Sequence, residues 1–325
     1  DLSRRGFPQQ IPQHSIRWTR VQGSAHGHDC RGESGLSQVA ALLNMNRPER
    51  KIFALFVLIL LCCALQAQSN SPQIAVHLGE VSRADIEARV RHFSLKDPER
   101  ETILKELFQQ VGCIGENLSE QPVKHQKNPN LICVLPGSTD SEILVGAHFD
   151  HAPEGSGVVD NWSGAAMLAS FFQALSSQPR KHRFVFIAFT GEEVGLVGSE
   201  FYAKQLTPQQ IAKIRVMVNL DSLGPEPTHI WLHHSDRHLS DVLYGVAKTM
   251  GLPLAVVNAD QVGDDDSSSF SKLHVPTVML HSLSQDSFSI IHSKRDNIDA
   301  INMGDYYDSY RLISTYLAYL DSTLD

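Results

Sequence analysis

Three apolar runs in this chain stop at acids or at histidine. Glu142 to Ala147 ends at His148, with Asp150 two residues on. Phe184 to Phe189 leads through Thr190-Gly191 to Glu192 and Glu193. Val216 to Leu220 ends at Asp221. Ligands of open α/β sheets sit beyond the carboxyl ends of the strands, so as strands of one sheet these runs would carry four carboxylates and a histidine to one rim. Acids packed that closely repel one another and shift their pKa values upward. A bound cation removes the conflict, and oxygen and nitrogen donors suit zinc, manganese or cobalt. Each residue alone has an ordinary reading: His148 as a satisfied polar group, Glu192-Glu193 as a solvated turn, Asp221 as a cap. What points to chemistry is that all of them fall at strand ends.

The elements that must position these residues alternate. Ser82 to Phe93 reads as a helix with Ser82 as N-cap. Pro98 to Val111 reads as a second, with Ile103, Leu104, Leu107 and Phe108 on one face. Residues 117–130 read as loop or edge strand, and Leu131 to Leu135, stopped by Pro136-Gly137, as a strand. An apolar helix, Ser163 to Leu175, follows the His148 strand. A short helix over 197–206 follows the Glu192-Glu193 turn. After Asp221 come a helix from His238 to Met250, a strand from Pro276 to Leu280 and a closing helix from Asp305 to Leu320. The alternation predicts an α/β fold, a three-layer α/β/α sandwich with a mixed, largely parallel central sheet. No repeat and no Pro/Gly/Ser-rich linker divides 86–325, which is expected to be one domain.

Composition narrows the classes further. Of 325 residues, 42% are hydrophobic and 20% charged, which excludes a disordered, collagen-like or disulfide-scaffold protein. A net charge of −8 argues against nucleic acid as a partner. Residues 1–44 are rich in Gln, Arg, His, Gly and Ser and lack a hydrophobic period; they are expected to be unstructured or an over-extended gene start. From Met45 the order changes to basic Arg47, Arg50 and Lys51, apolar Ile52 to Leu65, then small Ala67. That is the pattern of a secretory signal peptide, 45–67, here followed by a linker over 68–85. The alternative is a membrane anchor over 52–65, which is short for a span of about 20 residues. Without residues 1–67 the chain keeps 20 basic and 32 acidic side chains, a net charge of −12. Cys113 and Cys133 remain in that part. Export would carry them to an oxidising compartment, where they could pair; otherwise they are two small buried hydrophobes.

Six motifs in order carry a family resemblance over roughly residues 86–325. They are Gly146-Ala147-His148-Phe149-Asp150, Val159-Asp160-Asn161-Trp162-Ser163-Gly164-Ala165, Gly191-Glu192-Glu193-Val194-Gly195-Leu196-Val197-Gly198-Ser199, Asn219-Leu220-Asp221, Asp264 to Phe270 ahead of Pro276, and Ile291-His292-Ser293 with Asp296. The chain resembles the zinc exopeptidases of metallopeptidase family twenty-eight, clan MH, which includes bacterial leucyl aminopeptidases, plasma glutamate carboxypeptidase and the related glutaminyl cyclases. The fold this implies is the phosphorylase/hydrolase-like sandwich of zinc exopeptidases. The resemblance implies two Zn2+ per chain. His148 and Asp221 would serve one, Glu193 and His292 the other, and Asp160 would bridge them. Glu192 matches the general base that activates a zinc-bound water, and Asp150 the acid that supports the ligand set. Two departures stand out. Ile291 replaces a Tyr common before the last histidine, and Ser267 stands after Asp266 where many members have His. Trp162, Asp266 and Ile291 are candidate substrate contacts. His151, His233, His234, His274 and His281 read as structural.

The function implied is that of an exported di-zinc aminopeptidase, periplasmic or extracellular. Its partners would be peptides, with no stable membrane partner after signal cleavage. Alternatives on the same scaffold are a carboxypeptidase or dipeptidase, a glutaminyl-peptide cyclotransferase, and a binding protein that has lost activity. The Gly191 to Ser199 stretch looks more like the peptidases. Ile291 also lacks the cyclase identity, since a Trp usually precedes the last histidine in cyclases.

Overall fold

The structure, a computed structural model, describes residues 14–19 and 73–325. The chain divides into two units, residues 1–16 with 75–325 and residues 17–74, and the description below is of the first. The signal-peptide segment 45–67 lies outside the described residues. β1 (His14–Thr19) falls within 1–44, where composition announces no element; β2 (Gln73–Leu78) falls within the expected linker 68–85. Both lie outside the main sheet. In β2, Val76 is buried, so a stretch with the polar flanks of a linker holds a strand anchored by one apolar side chain. Among the described residues no helix is long and apolar enough to cross a membrane.

α1 (Arg83–Arg91) begins where Ser82 accepts a hydrogen bond from the Asp85 amide at 3.1 Å. α2 (Asp97–Gln110) has Pro98 in its first turn and buries Leu104, Leu107 and Phe108, together with Arg100. Just past it, Cys113 is disulfide-bonded to Cys133. There follow β3 (Leu118–Gln121), β4 (Asn130–Leu135), β5 (Glu142–His148), α3 (Ser163–Ser176), β6 (Arg183–Phe189), α4 (Val197–Gln205), α5 (Pro208–Ile211) and β7 (Ile214–Leu220). β8 (His229–Ile230), α6 (Arg237–Met250), β9 (Ala255–Val256), α7 (Ser268–Ser271), β10 (Thr277–His281) and α8 (Met303–Thr323) complete the order.

The main sheet has eight strands in the order β3-β4-β6-β5-β7-β10-β8-β9. β6, β5, β7 and β10 run parallel, β3 pairs antiparallel with β4 and β4 with β6, and β8 pairs antiparallel with β10 but parallel with β9. The parallel strands are the continuous apolar runs of the sequence, since a central parallel strand meets helices on both faces. α3 packs on β5 and β6 and is flanked by α1, α2 and α8. On the opposite face Phe189 meets Tyr202 of α4 and Phe270 of α7, within a cluster that includes Leu144, Ile187 and Met217. The expected three layers are present. Parallel register also aligns the strand ends: His148 lies opposite Phe189, and Gly146 opposite Asn219. The acids that follow these strands therefore share one rim.

Candidate metal centre

Asp160 stands between two histidines. Its Oδ1 is 3.1 Å from His148 Nε2, and its Oδ2 is 3.2 Å from His292 Nε2. His148 Nε2 also lies 3.6 Å from Asp221 Oδ1 and 3.9 Å from Glu192 Oε2. His292 Nε2 lies 3.1 Å from Glu193 Oε2. All five side chains named from the sequence as metal ligands are thus brought together, in two sets that share Asp160.

Each is aimed by its local backbone. His148 ends β5, and its Nδ1 faces the Asp150 carbonyl at 3.2 Å. With Nδ1 turned there, Nε2 is the nitrogen that faces the acids. That nitrogen is buried and has no hydrogen-bond partner. Gly191, at φ +69°, turns the chain after β6. The next two amides then donate to one carboxylate: Glu192 N–H to Asp150 Oδ1 at 3.1 Å and Glu193 N–H to Asp150 Oδ2 at 3.2 Å. Asp150 thus holds the backbone of both glutamates. Glu193 Oε1 accepts from the Ala152 amide at 2.9 Å, which leaves Oε2 toward His292. Asp160 has non-helical dihedrals ahead of α3, and the Asp160–Asn161 peptide bond is cis. Asp296 accepts from the Val159 and Asp160 amides at 2.7 and 3.2 Å. Asn161 donates to the Leu220 carbonyl at 2.7 Å and accepts from the Ser222 amide at 3.2 Å, tying the Asp160 turn to the end of β7.

The electrostatics match this crowding. Burial pushes the Glu192 carboxyl well above the carboxylate range, with Asp266 and Asp221 adding to it against His148. Burial, then Asp160, raises Asp221 to about 7. Burial raises Asp266 to about 8. Asp160 goes the other way: against its burial, the imidazoles of His148 and His292 beside it hold it far below the usual range. The same contacts, with Glu193, raise His292 to about 10. Imidazolium protons do the neutralising here. A divalent cation would do it better, and the donor set of two imidazoles and several carboxylates with an orphaned His148 Nε2 fits one.

Glu192, Asp160, Asp221, His292 and Ile291 open onto a cavity of about 280 Å3 whose apolar wall includes Trp231, Val262 and Met279. Of the three candidate substrate contacts, Ile291 lines this cavity and the other two do not. Trp162 is fully buried, with the Arg100 guanidinium 5.7 Å from its ring centroid. Asp266 is buried, its oxygens without a hydrogen-bond partner, and its neighbour Asp264 reaches the cavity instead. The wall expected of Trp162 is supplied by Trp231, on which His234 stacks at 4.0 Å. His234 in turn pairs with the buried Asp265. His281, expected to be structural, also lines the cavity. Its Nε2 faces the Val257 carbonyl at 2.8 Å, its Nδ1 accepts from the Leu283 amide at 3.2 Å, and burial lowers its pKa to about 4, so it is neutral. Sequence reasoning missed Arg100 and Trp231. An Arg in a helix ordinarily signals a solvated face, and Trp231 follows a two-residue strand that no periodicity announces.

Fold and site define a class: a three-layer α/β protein with two candidate metal-holding groups, sharing Asp160, at the carboxyl rim of its parallel strands. Residues 130–317 match the family described as Peptidase family M28, and the chain belongs to that family. It is 30% identical over 152 residues to Leupeptin-inactivating enzyme 1 of Streptomyces exfoliatus, covering 45% of this chain and 34% of that one. The chain thus spans about a third of the length of that relative. The structure of LapA aminopeptidase from Legionella pneumophila matches with a TM-score of 0.66 at 21% identity, over 75% of this chain and 73% of that one. Glutaminyl cyclase from Porphyromonas gingivalis matches with a TM-score of 0.59 at 15% identity, over 73% and 96%. These two likenesses are of fold.

Proposed function

We propose that this protein is an exported aminopeptidase that uses two zinc ions to hydrolyse the first peptide bond of its substrates. The observation that carries the reading is the split of Asp160 between His148 and His292, with Glu192 beside it on the cavity. His148, Asp160 and Asp221 would hold one zinc, and Asp160, Glu193 and His292 the other. Bound there, zinc supplies Lewis acidity, polarising the scissile carbonyl and making water more acidic. The rest is the work of the chain. Glu193 is committed through both oxygens, to the Ala152 amide and to the His292 side. Glu192 is the remaining acid on the cavity beside His148. It takes a proton from the attacking water and returns it to the leaving amine, as a raised carboxyl pKa suits. Asp150 keeps both glutamates in place through their amides. Trp231, Val262 and Met279 receive an apolar side chain.

Export rests on the signal-peptide pattern of 45–67. The Cys113–Cys133 disulfide supports it, since such bonds persist in oxidising compartments. N-terminal sequencing of the exported chain should then begin at Gln68.

The decisive assay compares aminoacyl-aminomethylcoumarins with their N-acetylated forms on the zinc-loaded protein, with Glu192→Ala as control. Cleavage of the free-amine substrates alone, lost in the variant, is the expected result. Cleavage of none, with zinc bound, overturns the aminopeptidase reading and turns attention to carboxypeptidase, dipeptide and N-terminal Gln substrates.

A further inference from the structure

Behind the metal centre lies a charged side chain that the mechanism above does not use. Arg100 sits in the first turns of α2 and has no solvent-exposed surface. Its Nη1 donates to the Phe149 carbonyl at 3.0 Å. Its Nη2 donates to the carbonyls of Ser156 and of Gly157, the latter at 3.1 Å, and its Nε to that of Ser94 at 2.8 Å. Three of these four acceptors belong to one loop, the stretch between His148 and Asp160. Phe149 directly follows the first ligand, and Gly157 precedes the bridging one by three residues. Before the turn at Val158 that loop has no helix or strand to shape it. On the same helix Asp97 reaches His151, in the middle of the loop, at 2.9 Å. From the far side Asp296 takes the amides of Val159 and Asp160.

We propose that Arg100 is a positioning residue of the metal centre, holding the loop that joins His148 to Asp160 so that the two ligands face each other across the site. The proposal rests on the metal-centre reading above. A guanidinium suits the task because its fixed fork serves several carbonyls at once, which one ammonium cannot do. Burial lowers the Arg100 pKa only to about 10, so the charge persists at neutral pH. Asp97, Asp296, Asp150 and Asp160 are the acids that favour it. A buried cation bonded mainly to neutral carbonyls is a costly arrangement for stability alone. It makes sense where the carbonyls must be held in one place.

The test uses the full chain carrying Arg100→Met or Arg100→Lys. Cation affinity is measured by chelator competition and by the visible spectrum of the cobalt form, kcat and KM on a leucyl substrate, and melting temperature on the metal-free protein. Arg100→Met should weaken cation affinity and lower kcat by about 10–100-fold each, with KM nearly unchanged. Arg100→Lys should recover only part of either loss. Wild-type affinity and kcat in Arg100→Met, whatever its melting temperature, overturn the proposal. Should Arg100→Met not fold, wild-type affinity and kcat in Arg100→Lys overturn it in the same way. A wild-type protein that takes up no cation overturns the metal-centre reading and this one with it. A wild-type protein that takes up cations but cleaves nothing overturns the peptidase reading alone, and the affinity comparison still decides the role of Arg100.

Discussion

Glu192 and Glu193 are neighbours in the chain with opposite assignments, and the difference lies in single contacts. Both line the cavity, but Glu193 is held by the Ala152 amide and faces His292, whereas Glu192 lies beside His148. Glu192→Gln keeps shape and removes the proton acceptor. It should lower kcat by about 10²–10⁴-fold, with zinc content by atomic absorption unchanged. Titration gives a second prediction. Asp221 and Asp266 have folded pKa values raised from 3.8 to about 7 and about 8. Their stability contribution is full below pH 3.8 and is lost as pH rises through those values. His292, raised from 6.5 to about 10, acts in the same direction, losing its contribution only toward pH 10. The melting temperature of the metal-free protein should therefore fall by several degrees between about pH 5 and 8, each pKa unit being worth about 1.4 kcal/mol. Zinc should reverse the trend, because its binding displaces those protons. A calorimetric series with and without zinc reads both. At this scale the sequence was legible where a candidate ligand ends a strand, as with His148 and Asp221. Asp160 and His292 sit in irregular backbone and could be found only through motif resemblance. Trp162 shows the same limit, since spacing places it beside the site but does not say that it faces inward, where it is fully buried.

The long apolar strands and amphipathic helices stand within a few residues of where periodicity puts them. The short elements do not show in the sequence. β8 and β9 are two residues each; β8 exists because β10 offers an edge to pair with, and β9 because β8 then offers one, a long-range condition no local pattern encodes. α5 and α7 are single turns of four residues. Between elements, Gly164 marks a demanding junction. A Cβ there would stand 2.5 Å from Asn161 Oδ1 and 2.9 Å from the Leu220 carbonyl, the residues next to Asp160 and Asp221. Gly164→Ala should push α3 away from both. We expect about 1–3 kcal/mol of destabilisation in urea melts, and weaker zinc retention than an alanine elsewhere in α3 would cause.

Taken whole, the molecule draws its site from residues far apart in sequence and fastens its sheet margin covalently. The Cys113–Cys133 bond joins the end of α2 to β4. Replacing both cysteines by serine should cost about 2–4 kcal/mol of stability, seen as a lower melting temperature insensitive to reductant, with kcat of the folded fraction unchanged. The order of the ligands along the chain has a consequence for how the protein is made. His148, Asp160 and Asp221 have all left the ribosome well before β10, which lies between β7 and β8 in the sheet, and before His292. A growing chain therefore holds one candidate set whole while the other still lacks His292. On the reading proposed above, a centre that needs both histidines is thus completed only when synthesis is nearly finished.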